Sequence, residues 1–169
     1  MKNVVYNNDN ISSKEVTELV VRAKGLLISN GYLLLGNEDG ALQFPGGHLE
    51  ENETLEECLL RELQEETGIK LKDIKLKSFM KITYYNKNYH NTVKNKKNDI
   101  YYYVIRTVEK VNLNNINLTD EDIDGNFTVR VIPLDNVKLV LIDSIKDNPI
   151  NEVIVKEMFD VLNEYMKMS

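Results

Sequence analysis

The chain has 169 residues, of which 42% are hydrophobic and 28% are charged, as in an ordinary globular protein. This length predicts a single domain over 1–169 with room for a sizeable core. The formal net charge of −6 argues against binding to a nucleic acid polymer, which requires a basic surface.

The sequence also favours a cytoplasmic location and predicts no association with a membrane. No apolar run approaches the roughly 20 residues of a membrane-spanning helix, and the N-terminus has no apolar signal core. The single cysteine, Cys58, suits a reducing compartment because it has no partner for an internal disulfide. We expect Cys58 to be a small buried residue within a helix.

The first part of the chain predicts strands joined by tight turns. Asn and Gly tolerate positive φ, which makes the Asn-Gly pair a strong signal for a two-residue hairpin. Pro45-Gly46-Gly47 is predicted to break the strand that precedes it and to let the backbone approach a ligand closely. The predicted elements are a strand over 18–29, a turn at Asn30-Gly31, a strand over 32–35, a turn over 37–40 and a strand over 41–44.

The rest of the chain predicts helices that flank further strands. A helix over 52–68 is expected to begin at a cap on Asn52 and to end at Gly68 in the left-handed conformation. Further along the chain we predict strands over 73–85, 99–109 and 127–132, a short helix or turn from Pro133, and an amphipathic helix over 150–166. Strands outnumber helices, so the sequence predicts an α+β fold with a mixed sheet between helical layers.

The predicted helix over 52–68 carries an apolar stripe that becomes acidic. Leu55, Cys58 and Leu59 lie at helical spacing, and three glutamates, Glu62, Glu65 and Glu66, follow on the same side. Clustered carboxylates near a helix C-terminus are unfavourable unless a cation meets them. Hard oxygen ligands grouped in this way suit Mg²⁺ or Mn²⁺, although a solvated acidic face would give the same pattern.

Residues 47–69 resemble the Nudix box, the signature of the Nudix hydrolase family. The family pattern is met without a departure. The matching residues are Gly47, Glu53, Arg61, Glu62, Leu63, Glu65, Glu66, Gly68 and Ile69. The resemblance implies the Nudix fold, a curved mixed sheet sandwiched between helices (α/β/α). It also implies metal-dependent hydrolysis of a phosphoanhydride bond, in which water attacks phosphorus in a nucleoside diphosphate-linked substrate.

The resemblance further implies roles for individual residues. The residues implied in catalysis are Glu53, Arg61, Glu62, Glu65 and Glu66. The residues implied in binding Mg²⁺, or Mn²⁺ as a substitute, are Glu62, Glu65 and Glu66 together with the carbonyl group of Gly46. Arg61 is expected to orient the carboxylates, and Glu53 to lie near the metal or to pair with Arg61. A further carboxylate from outside the box is expected from Glu121, Asp122 or Asp99.

The substrate is less well defined by the sequence. Nucleoside triphosphates, oxidised nucleotides and dinucleoside polyphosphates all stay open, and many relatives are dimers, which leaves a homodimer open as well. The candidate substrate-binding residues are His48, Tyr85, His90, Lys94, Tyr102 and Glu121. Since Tyr101, Tyr102 and Tyr103 are consecutive, at least one must face the opposite side of the sheet from its neighbours. The alternative function is a catalytically inactive, nucleotide-binding regulator on the same fold.

Overall fold

The computed structural model describes residues 1–72, 74–118, 127–149 and 151–168. Within these ranges a mixed sheet of eight strands forms the centre of the molecule. The strands are β1 (Lys2–Tyr6), β2 (Glu18–Ser29), β3 (Tyr32–Glu38), β4 (Ala41–Gln43), β5 (Gly46–His48), β6 (Ser78–Asn86), β7 (Lys96–Thr107) and β8 (Thr128–Pro133).

The order of the strands is β1-β6-β7-β2-β3-β4, with β5 beside β2 and β8 beside β3. The pairs β1–β6 and β2–β7 are parallel, and the other pairs are antiparallel. Strand β2 is central because β7 follows its whole length on one side, while β5 and then β3 pair with it on the other. This arrangement places the Gly-Gly segment of β5 next to the middle of the sheet.

The turn between β2 and β3 is the predicted hairpin. Asn30 and Gly31 have φ of 51° and 83°, the left-handed values that an Asn-Gly turn adopts most readily. The strand prediction over 18–29 is also confirmed. Strand β3 extends to Glu38, three residues beyond its predicted end.

In the ranges that the structure describes, three α-helices cover the two faces of the sheet: α1 (Leu55–Thr67) on one face, and α2 (Val137–Asp147) and α3 (Asn151–Met168) on the other. Leu27, Leu59 and Leu63 belong to the core beneath α1. Leu26 and Leu162 belong to the larger core beneath α2 and α3. Successive residues of β2 therefore enter different cores, as the alternation of side chains along a strand requires. The predicted α/β/α architecture is confirmed.

Helix α1 begins later than predicted. Thr54, not Asn52, is its N-cap: the Thr54 hydroxyl accepts from the backbone N–H of Glu57, and Glu57 accepts from the backbone N–H of Thr54 at 2.8 Å. This reciprocal capping box satisfies two amides at once, whereas Asn52 lies in the preceding loop with φ of 65°. The helix ends at Gly68 with φ of 69°, which confirms the predicted C-terminal glycine.

Strand β5 is a second correction. Pro45-Gly46-Gly47 was predicted to break the strand before it, and β4 does end at Gln43, but residues 46–48 then form a strand that was not predicted and that pairs with Arg22, Ala23 and Lys24 of β2. Glycine offers no side chain to identify such a strand, so the pairing is visible only in the tertiary structure. The described helices all lack the combination of length and apolar character that crossing a membrane requires.

Candidate active site

The glycines of β5 bring two carboxylates of α1 against the backbone. The amide of Gly46 donates to Oε2 of Glu66 at 3.0 Å. A Cβ atom on Gly47 would lie 2.2 Å from Oε1 of Glu62, so only glycine leaves room for this carboxylate. The core contacts of Leu59 and Leu63 hold α1 against the sheet and thereby keep the two carboxylates beside the glycines of β5.

Arg61 links the remaining carboxylate to this pair. Its Nη1 atom donates to Oε1 of Glu62 at 2.8 Å and to Oε2 of Glu65 at 3.1 Å. Glu62 and Glu65 therefore share one guanidinium nitrogen. Three acidic side chains of the box gather around the Gly46-Gly47 backbone and one arginine.

The other edge of the Arg61 guanidinium holds Glu53. Nε and Nη2 of Arg61 donate to the two oxygens of Glu53 at 2.9 and 3.1 Å, and Nη2 also donates to the carbonyl oxygen of His48 at 3.1 Å. The hydrogen bonds from Arg61 hold the pKa of Glu53 below its usual value. In return, Glu53 and Glu62 raise the pKa of Arg61, so the guanidinium is a permanent cation.

In this conformation Arg61 is the positively charged side chain that binds the acidic cluster, through Glu62 and Glu65. Over the described ranges, no three carboxylate, imidazole or thiol side chains stand close enough together to hold a metal ion. The donor set nevertheless fits a hard divalent cation, because it consists of carboxylates beside an open glycine backbone. Nη1 of Arg61, between Glu62 and Glu65, is the group with which such an ion would compete.

Cys58 lies directly behind this cluster and is fully buried. Its Sγ atom is 3.3 Å from the carbonyl oxygen of His48 and 3.7 Å from that of Gly47. Burial, together with Glu53 and Glu62, raises its pKa to about 12. The thiol therefore stays protonated and is not a nucleophile at neutral pH. Cys58 is the small buried residue that the sequence predicted.

The family model described as the NUDIX domain matches residues 16–153. The chain belongs to the Nudix family.

Two short stretches of this Nudix chain resemble curated proteins. Over 30 residues it is 70% identical to an 8-oxo-dGTP diphosphatase of Proteus vulgaris, a match that covers 18% of this chain and 27% of that protein. Over 44 residues it is 48% identical to a putative 8-oxo-dGTP diphosphatase of Bacillus subtilis (strain 168), a match that covers 26% of this chain and 28% of that protein. The chain thus spans just over a quarter of the length of these relatives.

Solved structures share the fold at low sequence identity. The mutator MutT protein from Bacillus halodurans has a TM-score of 0.51 and 20% identity, and the match covers 72% of each chain. The dihydroneopterin triphosphate pyrophosphohydrolase of E. coli has a TM-score of 0.52 and 13% identity, over 71% of this chain and 84% of that one. These likenesses show a common Nudix architecture.

Of the three predicted ligands outside the Nudix box, Asp99 lies within the described residues. Glu121 and Asp122 lie outside the described residues. Asp99 is buried and accepts hydrogen bonds from Thr83 at 2.6 Å and from Lys97 at 2.9 Å, and it pairs with Lys81 at 3.0 Å. Burial acts to raise the pKa of Asp99, but these three partners outweigh it and lower that pKa. In the described structure Asp99 is therefore held by partners on β6 and β7.

Among the predicted substrate-binding residues, His48 is the one that lies within the Nudix box. It ends β5, faces Arg22 across the strand pair, and accepts from Nη2 of Arg22 at 2.8 Å. Burial and the charge of Arg22 lower the pKa of His48. Tyr85 is half-buried at the end of β6. It lines a cavity on the β1 side of the sheet.

Two other candidates lie on the loop between β6 and β7. His90 is exposed and stacks on Tyr89, with ring centroids 4.0 Å apart. Lys94 is exposed and pairs with Glu18 at 3.3 Å. In the described structure His90 contacts Tyr89 and Lys94 contacts Glu18, and these contacts do not involve the residues of the box.

Tyr102 is not available for stacking on a base in this conformation. Its side chain is fully buried, its ring meets Phe44 edge-on at 6.1 Å, and its hydroxyl donates to Glu157 of α3. Tyr102 does face the opposite side of the sheet from Tyr101 and Tyr103, as predicted. The buried ring packs the core instead of forming a binding surface.

Sequence reasoning missed Lys24. This lysine pairs with Gly46 across β2 and β5 and is only 6% exposed. Its Nζ atom lies 3.4 Å from Oε1 of Gln43 and 4.0 Å from Glu157. Burial lowers the pKa of Lys24, and Glu157 opposes that effect. The available signal was a lysine within the otherwise apolar stretch from Ala23 to Ile28.

Proposed function

We propose that this chain is a metal-dependent hydrolase that cleaves a phosphoanhydride bond in a nucleoside diphosphate-linked substrate. The observation that carries the proposal is the placement of Glu66 and Glu62 against the Gly46-Gly47 backbone, with Arg61 as the counter-charge that joins Glu62 to Glu65. Carboxylates arranged in this way cost stability without a cation. Membership of the Nudix family supports the same chemistry.

The residues that would hold Mg²⁺, or Mn²⁺ in its place, are Glu62, Glu65 and Glu66, with the Gly46 carbonyl oxygen as a further ligand. When bound, such an ion neutralises phosphate oxygens and lowers the pKa of a coordinated water. The contacts of Arg61 with Glu53 and with the His48 carbonyl oxygen would keep the guanidinium in place as an orienting group.

In the proposed reaction a water oxygen forms a new bond to phosphorus, and the bond from that phosphorus to the bridging oxygen breaks. One of the glutamates takes the proton of the attacking water. The leaving group, which is pyrophosphate or a nucleotide depending on the phosphorus attacked, carries away the electrons of the broken bond. Fixed charges and positioning would supply most of the acceleration.

We propose that the substrate is a nucleoside triphosphate, an oxidised nucleotide or a dinucleoside polyphosphate. The names of the two curated relatives favour 8-oxo-dGTP as the first compound to assay. The proposal also includes a single domain over 1–169 that works on small nucleotides in the cytoplasm, a compartment that suits the single cysteine.

A substrate panel tests the proposal. The purified chain would be incubated with 8-oxo-dGTP, the common nucleoside triphosphates, dinucleoside polyphosphates and ADP-ribose, with Mg²⁺, with Mn²⁺ or with EDTA. Phosphate release and product mass are the readouts. We expect turnover of at least one nucleotide that disappears with EDTA. Tight binding of a nucleotide without turnover under any condition would instead favour the regulator.

Glu65→Gln tests the role of the cluster. We expect it to lower kcat by at least about 100-fold, because an uncharged ligand holds the metal and its water less well. The melting temperature should stay close to that of the natural protein, since the change relieves repulsion among three carboxylates. Glu51→Gln, at an exposed position in the loop before α1, is the matched control. Equal kcat for the two variants would contradict the assignment.

A further inference from the structure

A cavity of about 310 Å³ lies between β1, the end of β6 and the first turns of α3. Its lining includes Tyr6, Tyr84, Asn8, Asn86, Glu152 and Lys156. It opens on the face of the sheet opposite α1, because Tyr84 packs with the core beneath α3. Its volume lies at the lower end of the range for small-molecule sites.

Two aromatic rings form one wall of the cavity. Tyr6 and Tyr84 stack with centroids 5.0 Å apart and planes 12° from parallel. The hydroxyl of Tyr6 donates to Asp160 of α3, and Nζ of Lys156 lies 5.5 Å from the Tyr6 ring centroid. The rings are therefore held in place before any ligand arrives, which lowers the entropic cost of stacking a planar group.

The polar groups of the cavity suit an uncharged ligand with hydrogen-bonding edges. The amides of Asn8 and Asn86 each offer a donor and an acceptor. Glu152 and Lys156 cancel in charge, and Asp160 adds a negative charge beside the Tyr6 hydroxyl. A phosphate would be repelled here, whereas a nucleobase combines a flat face with polar edges.

The cavity lies at the same end of the sheet as the box glycines. Tyr84 of β6 pairs with Asn98 of β7, and Asn98 pairs with Val20 of β2. Two residues further along β2, Arg22 pairs with His48 of β5. Three strand spacings separate β6 from β5, which is roughly 14 Å. A base joined through a ribose to a chain of phosphates can span this distance along the sheet, and the phosphates would then pass the edge of β5 to reach the glutamates of α1 on the other face.

Asn98 supplies a further feature along this path. Its Oδ1 atom is buried and has no hydrogen-bond partner within the described part of the chain. A buried acceptor without a partner is costly. A ribose hydroxyl or a base amino group between the cavity and β5 would offer the missing donor.

We propose that this cavity binds the nucleobase of a substrate whose phosphates lie at Glu62, Glu65 and Glu66. The link to those phosphates rests on the function proposed above. Strand β1 and Lys156 lie outside the matched family region of residues 16–153. The part of the base site that β1 and Lys156 supply therefore lies outside the region that the family model matches.

Ligand binding to the full chain without metal tests the site directly. The probes are GMP, AMP, CMP and UMP, with ribose 5-phosphate as the control that lacks a base. We expect the ring resonances of Tyr6 and Tyr84 and the side-chain amide resonances of Asn8 and Asn86 to shift with at least one nucleotide, and not with ribose 5-phosphate. Absence of shifts with all four nucleotides, or equal shifts with ribose 5-phosphate, would overturn the proposal.

A variant with a larger side chain at the opening of the cavity tests the same site during turnover. Val153 lines the cavity and is 71% exposed, so Val153→Trp can obstruct the opening without disturbing the core. Val108→Trp is the matched control, because Val108 is 76% exposed and lies just beyond the end of β7. We expect Val153→Trp to raise KM by at least about fivefold, since base stacking is lost, with kcat within about twofold and the melting temperature unchanged. Val108→Trp should leave both constants unaltered.

The two proposals can fail separately. An unchanged KM in an active Val153→Trp variant would contradict the proposed base site and would not affect the proposed hydrolase activity. Nucleotide-dependent shifts in a chain that hydrolyses nothing would remove the hydrolase and leave the base site.

Discussion

Gly46 and Gly47 are adjacent but are glycines for different reasons. Gly46 has φ of +130°, and a Cβ there would lie 2.1 Å from the backbone oxygen of Ala23. Gly47 has no such backbone conflict, and its Cβ would meet only the far end of the Glu62 side chain. The first glycine is required by the backbone of β5, and the second by the position of a carboxylate.

This difference predicts different outcomes for two alanine variants. Gly47→Ala should lower kcat by at least about tenfold, because Glu62 must move away from the cluster, with a loss of stability of only about 1 kcal/mol. Gly46→Ala should lower the free energy of unfolding by more than about 3 kcal/mol, because it combines a disfavoured φ with a backbone clash. Urea unfolding and steady-state kinetics measure both effects. If Gly47→Ala kept full activity, the observed position of Glu62 would not matter for function.

Much of the Arg61 environment could be predicted from spacing. Glu65 is four residues after Arg61, so helical spacing places both on one face of α1. Glu53 lies in the loop before α1, and its pairing with Arg61 was implied by the resemblance to the Nudix box. The hydrogen bond from Arg61 to the carbonyl oxygen of His48 could not be predicted, because it depends on how β5 pairs with β2. The burial of Tyr102 also required the tertiary structure, since α3 is what covers it.

At the scale of elements, β6 and β7 are joined by an ionic cluster as well as by their backbone. Asp99 of β7 meets Thr83 and Lys81 of β6, and Lys97 on its own strand. Since the folded pKa of Asp99 is below its usual value, this carboxylate contributes stability above about pH 4, the unfolded pKa of an aspartate. That contribution is lost as the pH falls through the lower, folded pKa.

Asp99→Asn should therefore cost stability at neutral pH and reduce sensitivity to acid. We expect a loss of about 1.5–3 kcal/mol at pH 7, since hydrogen bonds to a charged group are removed. Between pH 5 and pH 3 the variant should lose less stability than the natural protein. Urea unfolding at several pH values measures this, with Asp135→Asn at an exposed position as the control. Parallel pH profiles for the natural protein and Asp99→Asn would contradict the role assigned to Asp99.

Elements with strong local signals were predictable, and elements made by tertiary contact were not. The Asn30-Gly31 hairpin and the C-terminal helix carry their own turn chemistry and periodicity, and both predictions are confirmed. Strand β1 was not predicted because its short sequence, Lys-Asn-Val-Val-Tyr, is followed by a polar stretch; its parallel pairing with β6 is what makes it a strand. Helix α2 was predicted only as a short helix or turn, because its β-branched residues are ambiguous between helix and strand.

At the scale of the molecule, the proposed metal site links the acidic charge of the chain to its stability. The net charge of −6 includes three carboxylates drawn together on α1. A cation that binds them in the folded state alone must raise the melting temperature by mass action. The described structure has Arg61 in contact with two of the three carboxylates.

We expect MgCl₂ or MnCl₂ to raise the melting temperature by several degrees at about 100 times the dissociation constant, which corresponds to about 2.7 kcal/mol. Glu65→Gln should show a smaller rise. Scanning calorimetry measures both, with NaCl at equal ionic strength as the control. The same rise in NaCl as in MgCl₂ would show screening rather than a specific site.

Cys58 of α1 lies against the backbone of β5, so its chemical modification can report motions that separate the two elements. A thiol that is fully enclosed, with a pKa near 12, reacts with an alkylating reagent only after α1 separates from β5. Since the chain has one cysteine, each labelling event records one such separation. The alkylation rate would then measure how often α1 separates from β5, and a ligand that contacts both elements should lower that rate.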